Sequence, residues 1–132
     1  MSELQPKKRN SVLLIDDDAF ILAALRRLLS SENEVSALDN APEALALIES
    51  GQRFDLILCD LRMPGMSGMD FYEKLGETVP EMIPRVVFCT GATLSPDIRQ
   101  FFDRVPNRIL EKPFDPAKVR SFVRMCVKEF NS

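Results

Sequence analysis

Three acids stand in a row at Asp16-Asp17-Asp18, directly after the apolar run Val12-Leu13-Leu14-Ile15. Adjacent carboxylates at the end of a hydrophobic segment repel one another and resist burial unless a cation compensates them. A fourth acid, Asp60, closes the run Phe54-Asp55-Leu56-Ile57-Leu58-Cys59 and leads into Leu61-Arg62-Met63-Pro64-Gly65, a Pro/Gly turn. Two more apolar runs end on polar groups: one on Thr90, before Gly91, the other on Lys112, before Pro113. Hard oxygen ligands of this kind suit magnesium, or manganese in its place, held by few protein carboxylates so that positions remain for phosphate oxygens. A carboxylate beside such an ion can attack phosphorus and become an acyl phosphate, because the ion offsets the charge repulsion between them.

The roles then distribute by residue type. Asp60 is the natural nucleophile as the central acid, with Asp17 a direct metal ligand and Asp16 a direct or water-mediated one. The backbone carbonyl of Arg62, in the turn after Asp60, completes the protein ligands. Lys112 supplies a positive charge for phosphoryl oxygens, and the Thr90 hydroxyl can donate to one of them. Pro113 rigidifies the loop behind Lys112, a cis Lys112-Pro113 bond being one way to do so. Taken singly, each has a plainer reading: an acid that caps a helix, a turn residue, a surface lysine. Their joint placement at four strand ends is what points to a site.

The elements that must position them follow from hydrophobic period. Residues 12–15, 34–38, 54–60, 85–90 and 108–112 read as strands, and they alternate with helical patterns. In the first helix, residues 20–29, Ile21, Ala24, Leu25 and Leu28 fall at helical spacing with Arg26 and Arg27 free to face water. Asn40 can cap the second, with Glu43 at the reciprocal position and Gly51 closing it. Ser67 can cap a third through Tyr72 and Leu75, with Asp70 in its first turn, and the segment 80–84 stops it with two prolines. Ser95-Pro96 opens a fourth anchored by Ile98, Phe101 and Phe102; Asp115-Pro116 opens the last, whose stripe is Val119, Phe122, Val123, Cys126, Val127 and Phe130. Five strands alternating with five helices predict an α/β fold, a flavodoxin-like (βα)5 three-layer sandwich with parallel sheet order 2-1-3-4-5. In that order Asp60 lies at the topological switch point, flanked by the other polar strand ends.

At 132 residues and 45% hydrophobic, the chain fits one compact domain: residues 1–10 as a flexible N-terminal tail and 11–130 as the folded unit. A net charge of −3 argues against a general nucleic-acid surface, so Lys7-Lys8-Arg9 reads as a solvated part of the tail. No stretch is long enough to cross a membrane and the N-terminus lacks a secretory signal, which predicts a cytoplasmic domain without membrane insertion. Cys59, Cys89 and Cys126 lie far apart inside apolar runs, and there is no histidine, so they read as small buried hydrophobes.

At these residues the sequence resembles the receiver domain of two-component response regulators. The resemblance runs from Val12 to Phe130, on Leu14-Ile15-Asp16-Asp17-Asp18, Leu58-Cys59-Asp60-Leu61-Arg62-Met63-Pro64-Gly65-Met66-Ser67-Gly68, Cys89-Thr90-Gly91 and Glu111-Lys112-Pro113-Phe114. It implies that Asp16 and Asp17 form the acidic metal pair and that Asp60 accepts a phosphoryl group from a phosphohistidine of a sensor histidine kinase or histidine phosphotransfer protein. It further implies that Thr90 and Lys112 sense the group and that water at Asp60 slowly removes it. The domain would thus catalyse its own phosphorylation and dephosphorylation without a separate catalytic domain. The segment 104–114 resembles receivers of hybrid sensor kinases. Receivers commonly bind effectors or dimerise through helix 4, strand 5 and helix 5, and no motif here contacts nucleic acid directly. One position departs from the family pattern: Ile109 stands where an aromatic residue usually couples to the threonine, so switching should run from Thr90 through the following loop into helix 4. Arg62 is a second tuning position.

Two other readings stay open. A haloacid-dehalogenase-like phosphatase would use Asp16 and Asp18 as nucleophile and acid/base, yet Phe20 stands where it needs threonine or valine, and the Asp60 turn has no place in it. A non-phosphorylated pseudo-receiver would only bind partners, and would have no use for the full set of reactive residues.

Overall fold

The computed structural model describes residues 9–91 and 95–132; Lys7 and Lys8, and the loop residues 92–94, lie outside the described residues. Strand β1 (Asn10–Ile15) leads to helix α1 (Ala19–Leu29), β2 (Asn33–Leu38) to α2 (Ala41–Glu49), and β3 (Leu56–Asp60) to α3 (Gly68–Thr78). Then β4 (Val86–Thr90) leads to α4 (Pro96–Arg104), and β5 (Ile109–Glu111) to α5 (Pro116–Phe130). All pairings are parallel and the strand order is β2-β1-β3-β4-β5, the flavodoxin-like arrangement expected from the alternation.

Strand residues alternate between two cores, as a period of two requires. Leu13, Ile15, Ile57, Cys59, Val86 and Phe88 face α2, α3 and α4, meeting Ala44, Ile48, Phe71, Leu75, Ile98 and Phe101. Val12, Leu14, Leu56, Leu58, Val87 and Cys89 face α1 and α5, meeting Leu25, Leu29, Val119, Val123 and Cys126. With both faces covered, β3 and β4 are buried at every residue, which explains their unbroken apolar runs. The three cysteines are free and buried, as their surroundings suggested.

The helix caps follow the sequence signals, with one exception. Asp18 Oδ1 accepts from the amides of Phe20 and Ile21, Asn40 Oδ1 from Glu43, and an Asp115 oxygen from Lys118. The reciprocal capping box forms at α3, where Ser67 and Asp70 each accept from the other's amide. Ser95 precedes Pro96 as expected, but its hydroxyl donates to the Asp97 carboxylate and makes no cap bond; the acid two residues on captures it. In α1 the buried residues are Leu25 and Leu29, Ala24 is exposed and Phe20 is 89% exposed, so the apolar stripe is narrower than its spacing suggested. Arg85 closes a 3-10 segment, Pro80–Arg85, and does not belong to β4. Strand β5 is only three residues long and half-exposed at the sheet edge. Its pairing still reaches the expected ends, through the Phe88 amide to Arg108 O and the Lys112 amide to Thr90 O.

Candidate active site

The register places the polar strand ends at one edge. Ile15, the residue before Asp16, pairs with Cys59; Asp60 pairs with Cys89, and Thr90 with Glu111. Five expected site residues therefore converge: Asp16 and Asp17 after β1, Asp60 ending β3, Thr90 ending β4 and Lys112 after β5. Asp16, Asp60 and Thr90 are buried polar groups, whereas Asp17 is exposed. Carboxylate oxygens of Asp16, Asp17 and Asp60 lie within 4.8 Å of one another. An oxygen-only donor set this tight, on three acids from two adjacent strands, can coordinate a hard divalent cation.

Lys112 holds this cluster together. Its Nζ lies 3.2 Å from Asp16 Oδ2 and 3.5 Å from Asp60 Oδ1. Burial, followed by the Asp16 charge, pushes the Asp60 carboxyl up to about 6, against the opposing pull of Lys112. Burial disfavours the lysine charge, but Asp60 and Asp16 outweigh it and hold the ammonium above its ordinary value. The other Asp16 oxygen accepts from the Asp18 amide at 2.8 Å, which fixes the carboxylate while Asp18 itself caps α1. The third acid of the row is thus structural and the first two belong to the site. The Lys112-Pro113 bond is cis.

Two glycines shape the site in ways that residue chemistry did not reveal. A Cβ on Gly68 would sit 2.4 Å from the backbone oxygen of Asp60, and the Gly68 amide donates to Leu61 O at 2.9 Å. The loop 61–67 folds back tightly enough that only glycine fits at its end, while Gly65 takes φ +81° within it. A Cβ on Gly91 would lie 3.0 Å from Lys112 Cβ, so the chain after Thr90 passes close to the lysine. The signal in sequence was the glycine after Ser67, which the resemblance covered without a reason. Arg62, in the same loop, is exposed and lines a groove with Asp97 of α4. Asp97 is held below its usual value, first by the Ser95 hydroxyl and in smaller part by the Arg62 charge. Ile109 faces outward at 37% exposure, paired in register with Phe88.

Fold and site together define an α/β domain of flavodoxin-like topology, with an acid and lysine cluster at the carboxyl edge of its sheet. Residues 12–124 match the response regulator receiver domain, and the chain belongs to that family. Its function is therefore that of a receiver in two-component, phosphorylation-based signal relay. Over 122 residues, 92% of this chain, it is 41% identical to the hydrogenase transcriptional regulatory protein HoxA of Cupriavidus necator, of which it spans 25%. The HoxA protein of Bradyrhizobium diazoefficiens is 31% identical, with 24% of its length spanned, so the chain corresponds to about a quarter of these relatives. Among solved structures, a CheY-like receiver domain protein of Methanospirillum hungatei aligns with a TM-score of 0.82 at 27% identity, covering 94% of this chain and 98% of that one. The chemotaxis protein CheY4 of Vibrio cholerae aligns with a TM-score of 0.77 at 28% identity, covering 90% and 99%.

Proposed function

We propose that Asp60 is the phosphoacceptor and that a phosphohistidine on a sensor histidine kinase or histidine phosphotransfer protein is the donor. The observation that carries this is the convergence of three carboxylate oxygens within 4.8 Å with a lysine bridging two of the acids. Asp16, Asp17, Asp60 and the backbone carbonyl of Arg62 would hold Mg2+, which when bound offsets the repulsion between carboxylate and phosphoryl group. In the transfer an Asp60 oxygen forms the new P–O bond as the P–N bond breaks, and the departing imidazole takes a proton. With its carboxyl near 6, Asp60 is mostly ionised at neutral pH and ready to attack. Lys112 exchanges its contact with Asp60 for one with a phosphoryl oxygen, and the Thr90 hydroxyl donates to another. Water attack at the acyl phosphate later returns the domain to rest.

The reading extends to context. This is a cytoplasmic domain, and among the described residues no helix is long and apolar enough to cross a membrane. Its greater likeness to hydrogenase transcriptional regulators than to a hybrid kinase of Dictyostelium discoideum, at 28% identity, favours an input domain that controls an effector elsewhere. The α4, β5, α5 face is the surface through which that control, or dimerisation, would pass. Calorimetric titration with beryllofluoride tests the assignment. Wild type should bind the anion only with Mg2+ present, Asp17→Asn should weaken both ligands, and Asp60→Asn should bind no anion. Equal binding by wild type and Asp60→Asn would remove Asp60 from the centre of the site.

A further inference from the structure

A groove separates the turn that follows Asp60 from the first turn of α4, lined by Leu61, Arg62 and Met63 on one side and by Asp97 and Ile98 on the other. Ile98 is buried and fixes the α4 wall, whereas Arg62 and Asp97 are both exposed. Among the described residues that line the groove, these two are the charged ones, and they are opposite in sign. Arg62 makes no hydrogen bond and no ion pair among the described residues, yet the Asp97 carboxylate feels its charge.

The two charges differ in how they are held. Asp97 is pinned: the Ser95 hydroxyl donates to its carboxylate instead of capping α4, and the carboxylate stands in the first turn of the helix, where the positive end of the dipole favours an acid. The Ser95 bond first, and the amides of Asp97 and Ile98 after it, hold the carboxyl below its usual value, so it is ionised at neutral pH. Arg62 is a long, flexible cation with nothing to fix it. Lys112, the other cation near Asp60, is already engaged by Asp16 and Asp60. A change of charge at the site therefore acts on a cation that can move, against an anion that stays where it is.

We infer that Asp97 is a positioning residue for hydrolysis of the acyl phosphate: it draws the Arg62 guanidinium across the groove toward α4 and so keeps it off the phosphoryl group. The inference rests on Asp60 being the phosphoacceptor. In the hydrolysis a water oxygen bonds to phosphorus as the P–O bond to Asp60 breaks; Asp60 leaves as a carboxylate, and the protons of the water pass to inorganic phosphate and solvent. The phosphoryl group brings about two negative charges to a point two residues before Arg62. The guanidinium then has two anions to choose between. Arginine pairs with phosphoryl oxygens through two parallel N–H bonds, and a planar cation laid across them obstructs the approach of water. With Asp97 charged and fixed, the guanidinium stays in the groove and the phosphoryl group stays open to attack.

The lifetime of the phosphoryl group tests it. The 132-residue chain is labelled with a small acyl phosphate and Mg2+, the donor is removed, and loss of the label is followed by intact mass. Asp97→Asn should lengthen the lifetime about two- to five-fold, the scale on which an exposed charge pair shifts an equilibrium. Asp97→Glu, which keeps the charge, should restore it. In an Arg62→Ala background Asp97→Asn should change nothing, which separates this role from a general loosening of α4. An unchanged or shortened lifetime in Asp97→Asn, no recovery in Asp97→Glu, or the same lengthening with and without the Arg62 side chain would each overturn the inference and leave Asp60 as the phosphoacceptor. A wild type that takes no label would overturn both.

Discussion

Asp60 is a buried acid beside another acid, and that arrangement costs the resting fold something. Because its carboxyl titrates near 6 in the folded state against an ordinary 3.8, the folded domain binds a proton that the unfolded chain has released. The neutral form is thus favoured by folding, and stability is lost as pH rises from about 4 through about 6. Asp60→Asn, always neutral, should therefore stabilise the metal-free domain by about 1–3 kcal/mol at about pH 7.5, with the gain shrinking below about 1 kcal/mol by about pH 4. Urea denaturation at the two pH values measures this; a gain that is the same at both would mean the effect is not ionisation of Asp60. Gly68 is constrained in the opposite way. Gly68→Ala must move the Asp60 backbone or the start of α3, and should cost about 2–3 kcal/mol in the same denaturation experiment.

At the scale of elements, α4 is anchored by two buried residues, Ile98 and Phe101, and its Ser95 cap position makes no side-chain cap bond. Phe101 packs edge-on against Phe88 of β4, with ring centroids 5.2 Å apart, and against Tyr72 of α3 at 5.5 Å. The Tyr72 hydroxyl donates to Asn107, whose amide donates to Ile83 O and Val86 O, so one side chain ties α3, the start of β4 and the start of β5. Asn107→Ala leaves those partners unmatched and should lower stability by about 2–4 kcal/mol, read by thermal or urea denaturation. Phe88, two residues before Thr90 on β4, thus joins that strand to Phe101 of α4 through packed rings. Beryllofluoride with Mg2+ should accordingly change amide exchange from Pro96 through Phe102; changes limited to Asp16, Asp60 and Lys112 would mean the domain relays a phosphoryl group without moving α4. The strands were legible in sequence because their period and their polar endings are local. The roles of Asn107 and Gly68 were not, since each depends on backbone brought close from elsewhere in the chain. The exposure of Phe20 and Ala24 was hidden for a related reason: helical spacing shows which residues share a face, not how much of that face a neighbour covers.

Over the whole molecule, the two cores hold a sheet whose carboxyl edge gathers residues from 96 positions apart, the separation of Asp16 and Lys112. That gathering was foreseeable once the order 2-1-3-4-5 was inferred, because the order itself brings the ends of β1, β3, β4 and β5 together around the switch point. The haloacid-dehalogenase reading loses its footing on the same geometry, because Asp18 caps α1 instead of reaching the cluster. We propose that Asp60 alone accepts a phosphoryl group, with a divalent cation required. Intact-mass measurement after incubation with a small acyl phosphate, followed by peptide mapping of the reductively trapped adduct, tests it most directly. One phosphoryl group should appear on Asp60 with Mg2+, none after chelation, and none in Asp60→Asn; labelling that persists in Asp60→Asn at the wild-type rate, or maps to Asp16 or Asp17 in the wild type, would contradict the account.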